Sequence, residues 1–150
     1  MSDLTDLYHA LILDHSRAPR NHRAMPDASC EAEGRNPLCG DQLHVWLKVA
    51  DGVIEDVSFL GKGCAISQAS ASLMTVAVKG RSIDDAILLF DDFHLLVTGK
   101  LPPEGLQTLP PKLAAFSGVA RFPVRVKCAS LSWHALRGAL RREGRPVATE

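Results

Sequence analysis

The sequence carries no excess of either charge: 17 Lys and Arg balance 17 Asp and Glu. A chain without a net field offers no bulk attraction to nucleic acid or to an anionic membrane surface. Its local basic groups, Arg17, Arg20 and Arg23, then Arg121, Arg125 and Lys127, read as solvated faces. No apolar run approaches the roughly 18 residues that a spanning helix needs. Met1-Ser2-Asp3-Leu4 lacks the basic start and apolar core of a signal peptide. A cytoplasmic protein is therefore expected, in a compartment where disulfides are rare. No internal repeat or low-complexity tract is present. There are 4 cysteines but no C-x-x-C pair, the usual knuckle of a structural zinc site. Cys30, Cys39, Cys64 and Cys128 are thus inert thiols, metal ligands or catalytic groups.

What is present suits one globular domain, residues 1–150, with 46% apolar and 23% charged residues. Leu4, Leu7, Tyr8, Leu11 and Ile12 recur at helical spacing and predict a helix over 3–15, with Ser2 as its cap. His9 and His15 on this helix read as surface groups. A short strand over 28–35 holds Cys30, read as a small, partly buried apolar residue. A clear strand follows over 42–50, with Leu43, Val45, Leu47 and Val49 on one face. Asp51-Gly52 signals a hairpin, and the returning strand, 53–60, places Val53, Val57 and Phe59 together.

Helices are expected over 65–79, closed by Gly80, and over 83–97, capped by Ser82 with Asp85, with Ile83, Ala86, Ile87 and Phe90 facing the core. Residues 101–105 read as a loop, and Leu113, Ala114 and Phe116 belong to a short helical piece. Residues 117–126 read as irregular, with Pro123 barring a helix there; a last helix spans 127–142, and 144–150 fray. The expected class is α+β, a three-stranded antiparallel meander with helices on one face.

Three of the four thiols invite a mechanism. In Asn36-Pro37-Leu38-Cys39-Gly40-Asp41 a thiol and a carboxylate flank a glycine that permits a sharp turn. Gly61-Lys62-Gly63-Cys64 and Arg125-Val126-Lys127-Cys128 each place a cysteine just before an expected helix, where unpaired N–H groups favour the thiolate. Lys62, Arg125 and Lys127 would add positive charge. Cys39, Asp41, Cys64 and Cys128 together would complete a four-coordinate zinc site. Spacing alone leaves scattered, inert cysteines as the simpler alternative.

The motifs carry a resemblance that changes this balance. Tyr8, Asp14-His15-Ser16-Arg17-Ala18-Pro19-Arg20-Asn21, Asn36-Pro37-Leu38-Cys39-Gly40-Asp41, Gly63-Cys64-Ala65-Ile66-Ser67 and Arg125-Val126-Lys127-Cys128-Ala129-Ser130-Leu131-Ser132-Trp133 resemble the iron–sulfur cluster assembly family that includes IscU and SufU. The resemblance implies a small three-stranded antiparallel sheet with helices packed on it. IscU-type scaffolds carry a histidine where this chain has Lys127, and a Leu-Pro-Pro-Val-Lys stretch where it reads Phe122-Pro123-Val124-Arg125. With the longer span between Cys64 and Cys128, these departures favour the SufU branch.

That branch implies Zn²⁺ on Cys39, Asp41, Cys64 and Cys128, and a sulfurtransferase-like acceptor working with a pyridoxal-phosphate cysteine desulfurase (SufS-like) and iron–sulfur scaffold machinery. Cys39 is the expected sulfur acceptor, since Gly40 beside it absorbs a change of direction. The resemblance further implies that a desulfurase histidine occupies the position Cys39 leaves. Arg125 is the expected partner contact. The alternative is a scaffold that assembles an iron–sulfur cluster on the same ligands, and a zinc-stabilised interaction module is a further rival.

Overall fold

The computed structural model describes residues 2–37, 40–102, 105, 109–141 and 147–148. Helix α1 (Ser2–Arg17) leads to strands β1 (Cys30–Asn36), β2 (Asp41–Ala50) and β3 (Val53–Lys62). Helices α2 (Ala65–Val78) and α3 (Ile83–Val97) follow, then a 3-10 segment (Pro111–Arg121), helix α4 (Pro123–Leu140) and a short strand β4 (Val147–Ala148). Of the loop expected over 101–105, residues 103 and 104 lie outside the described residues.

The antiparallel meander is present, in the order β3-β2-β1, and β4 adds to its edge parallel to Gly34 and Arg35 of β1. Val147 and Ala148 of this short strand fall within 144–150, the stretch expected to fray. Residues 144–146 and 149–150 lie outside the described residues. Asp51 and Gly52 both take left-handed backbone, φ 52° and 74°, as a tight two-residue hairpin requires.

One inward residue differs. Lys48 opposes Asp56 while Val49 opposes Ile54, so Glu55 is an extra residue in β3. Strand side chains alternate, and a single inserted residue reverses the alternation. Ile54 therefore turns inward, fully buried, and Val53 outward at 37% exposure, whereas Val57 and Phe59 face the core as expected.

The core lies between the inner sheet face and helices α2 and α4. Helix α4 packs over β1 and β2, and α2 over β3. Gly34 permits the close approach of α4: a Cβ there would stand 3.1 Å from Leu131 Cδ1 and 3.3 Å from its carbonyl oxygen. Trp133 stacks on Phe93 with centroids 4.4 Å apart, and Phe116 meets Phe93 edge-on at 5.7 Å. All three rings are buried, each contributing about 1.5–3 kcal/mol or more through its area. They join α3 and the 3-10 segment to α4. Ser82 caps α3 by accepting from the Asp85 N–H, as expected. Ala86 and Phe90 are buried, with Ile83 and Ile87 half-buried beside them.

Two helices begin or end differently from the sequence expectation. Helix α1 continues through Ser16 to Arg17, and Ser2 is its first residue rather than a cap. Leu11 and Ile12 pack on the core, but Leu7 is 65% exposed, and the Leu4 side chain lies outside the described residues. His9 is exposed, whereas His15 is buried, its Nδ1 2.7 Å from Ser72 Oγ. Burial pushes the His15 pKa down. Helix α4 starts at Pro123, because proline at a first-turn position has no N–H to lose. The irregular stretch expected over 117–126 is instead the end of the 3-10 segment and the first turn of α4.

Candidate metal centre

The centre is built where the end of β1, the start of β2, the start of α2 and the second turn of α4 meet. Asn36 and Asp41 form the last pair of the β1–β2 ladder, and the Gly40 N–H returns to the Asn36 carbonyl at 2.9 Å. Gly40 takes φ +74°, the left-handed region that favours glycine. Cys39, expected as a ligand and as the acceptor thiol, lies outside the described residues. Asp41 is buried, 3% exposed, and its Oδ1 accepts a hydrogen bond from the Cys64 N–H at 3.2 Å.

Cys64 is the N-cap of α2, as its sequence position predicts. Its Sγ accepts from the Ser67 N–H at 3.4 Å, so the helix terminus holds the sulfur directly. Cys64 is exposed and Cys128 is buried. Cys128 corrects an expectation: α4 begins five residues before it, so it sits within the helix rather than ahead of it.

One ligand atom each from Asp41, Cys64 and Cys128 all lie within 4.8 Å of one another. Zinc–sulfur bonds of about 2.3 Å in a tetrahedron place sulfur atoms roughly 3.8 Å apart. The spacing and the donor set, two thiols and a carboxylate from three separate elements, suit a borderline metal.

Gly63 is what lets the carboxylate reach the helix start. A Cβ at Gly63 would stand 2.8 Å from Asp41 Oδ1, 3.1 Å from Asp41 Cγ and 2.9 Å from Ser67 Oγ. In the sequence Ser67 stands only as the last residue of the Gly63-Cys64-Ala65-Ile66-Ser67 motif, with no role of its own expected. Its place three residues after an N-cap cysteine was the available signal. Of the basic residues expected nearby, Arg125 is exposed and lays its guanidinium over the Phe122 ring, 4.5 Å from the centroid. Cys30 lies in β1, half-buried against the core and outside this group.

The NifU-like N terminal domain family model matches residues 7–129. The zinc-dependent sulfurtransferase SufU of Bacillus subtilis is 39% identical over 144 residues, covering 95% of this chain and 96% of the relative. The iron–sulfur cluster assembly scaffold protein IscU of Streptococcus pyogenes is 41% identical over 142 residues, covering 95% and 87% respectively. Among solved structures, a candidate iron–sulfur cluster assembly scaffold protein for the SUF system of Fervidobacterium islandicum superposes with a TM-score of 0.78. It is 32% identical, covering 87% of this chain and 93% of that one. A NifU-like N-terminal protein from Brucella abortus shares the fold, TM-score 0.81 at 24% identity, covering 93% and 95%.

Proposed function

This chain belongs to the NifU-like N-terminal domain family of iron–sulfur cluster assembly proteins, with IscU and SufU, and from that premise we propose a zinc-dependent sulfur acceptor. It takes persulfide sulfur from a cysteine desulfurase. The observation that carries this reading is the convergence of Asp41, Cys64 and Cys128 within 4.8 Å. Cys39 completes the ligand set. The similarity to the zinc-dependent SufU of Bacillus subtilis, across nearly the whole of both chains, supports zinc as the metal.

Bound zinc would keep the thiols deprotonated near neutral pH while damping their reactivity. The chain's own residues divide the remaining work. Cys64 and Cys128 are fixed by helices α2 and α4. Asp41 is the hard donor among soft ones and is steadied by the Cys64 N–H. Cys39 adjoins Gly40, whose left-handed backbone lets the chain change direction there. Cys39 is thus the thiolate that attacks the outer sulfur of the desulfurase persulfide. A new S–S bond forms on Cys39 as the partner's S–S bond breaks, and the partner cysteine leaves as a thiolate; no outside oxidant or reductant is consumed. Arg125, exposed beside Phe122 and Val124, contacts the partner.

The test is incubation with a pyridoxal-phosphate cysteine desulfurase and cysteine, followed by peptide mass spectrometry. Sulfur on Cys39 is expected; sulfur confined to Cys64 or Cys128, or undiminished transfer to Cys39→Ser, overturns the assignment. The similarity to IscU of Streptococcus pyogenes supports the second reading, a cluster scaffold on the same ligands. Lys127, where that branch carries histidine, favours the first. Metal analysis and the visible spectrum of anaerobically purified protein separate the two.

A further inference from the structure

A buried hydroxyl that bonds to nothing calls for a reason, because burial without a hydrogen bond is costly. Ser67 is fully buried, and its Oγ has no hydrogen-bond partner among the described residues. Serine in a helix commonly bonds a carbonyl one turn back, an option Ser67 does not take. Its position is the third of α2, counted from an N-cap at Cys64. In an ordinary capping box that side chain would accept from the N-cap N–H. Here the Cys64 N–H donates to Asp41 Oδ1 instead. Asp41 has taken the acceptor role, and Ser67 Oγ is left beside it.

The two side chains border the same small space. The point where a Cβ of Gly63 would stand is 2.8 Å from Asp41 Oδ1 and 2.9 Å from Ser67 Oγ. Gly63 supplies no side chain to separate them. We propose that Ser67 is a positioning residue for Asp41 in the metal-loaded centre: its hydroxyl, unbonded in this structure, would turn to donate to the carboxylate beside it and restrain its orientation. The carboxylate would then receive two donors from one helix start, the Cys64 N–H and the Ser67 O–H. This pair restrains rotation of the ligand most readily exchanged. Groups that orient metal ligands from behind commonly change affinity by about 10–100-fold when removed.

The inference rests on the zinc reading of the site, and the experiment separates the two. Zinc release to a chelator is measured for the full chain, wild type and Ser67→Ala, with thermal unfolding recorded in parallel. Release about 10–100-fold faster is expected in Ser67→Ala. Ser67→Thr, which keeps the hydroxyl, should stay near wild type. In an Asp41→Ala background, Ser67→Ala should add nothing further to release, whatever it does to the unfolding temperature. A merely structural serine would act equally with or without Asp41. Unchanged release in Ser67→Ala, or the same factor in both backgrounds, overturns this inference alone. A wild-type protein that binds no zinc overturns the zinc reading and this inference with it.

Discussion

Replacing Gly63 by alanine perturbs the centre at one atom. The backbone there is not left-handed, so the substitution carries no conformational strain of its own. Its cost comes from contact: the added carbon would meet Asp41 Oδ1 at 2.8 Å and Asp41 Cγ at 3.1 Å. Asp41 is 3% exposed and cannot swing into water without uncovering the start of β2. Forcing an extra carbon into such packing costs about 1–3 kcal/mol. The displaced carboxylate also loses the Cys64 N–H, a hydrogen bond to a charged group worth about 1.5–3 kcal/mol. Partial relaxation makes these overlap, so a loss of about 2–4 kcal/mol is expected. Gly118→Ala is the control, since nothing among the described residues lies within 4 Å of its Cβ position. It should raise stability by about 0.4–1 kcal/mol through the unfolded chain. Urea unfolding of both variants, with zinc affinity by competition, is the assay. If Gly63→Ala matched wild type in both measurements, the proposed crowding of Asp41 would be refuted.

Other outcomes follow from the same geometry. Cys64→Ala and Cys128→Ala should each lose most of their zinc and, with it, much of their stability, since metal binding contributes to folding; full zinc occupancy by elemental analysis would refute this. Asp41→Ala should retain most of its zinc but release it faster to a chelator; unchanged release and unchanged sulfur transfer would remove Asp41 from the ligand set. His134, whose pKa is pushed down to about 4 from 6.5 by burial and by the charge of Arg137, stays neutral in the folded protein. Its stabilisation is present above pH 6.5 and lost as pH falls from there towards about 4, because the unfolded state then binds the proton more readily. The ring is only partly buried, so the loss is of order 1–2 kcal/mol. His134→Gln should flatten that part of the stability profile; an unaltered slope in urea titrations between those pH values would count against it.

Much of the framework was legible because local chemistry and tertiary structure agree. Asp51-Gly52 requires a backbone that only a tight hairpin supplies, and Ser82 with Asp85 marks a helix start whatever packs around it. The extra residue at Glu55 was not legible: alternation counted along one strand cannot register an insertion relative to its neighbour. Pro123 fits both a break and a first turn, and only the packing of α4 on the sheet decides between them. His15 continues the apolar stripe of its helix, three residues after Ile12, but a titratable ring does not announce burial, and its partner Ser72 lies 57 positions away. At the metal centre, the cysteine and aspartate motifs were readable. The roles of Gly63 and Ser67 were not, because each depends on where Asp41 arrives from another element.

The small residues of α2 act as a ruler. Ser70 donates to the Ala129 carbonyl at 2.5 Å and accepts from Trp133 Nε1 at 3.1 Å. That tie grips α4 at the residue next to Cys128, and it arises on the helix that Cys64 begins. Ser70 is fully buried at this contact, so the approach of the two helices there is set by a small side chain. A bulkier residue at 70 would break the tie to Ala129 and push apart the helices that carry Cys64 and Cys128. On the zinc reading, the spacing of the ligands is thus written partly into a position outside the ligand set.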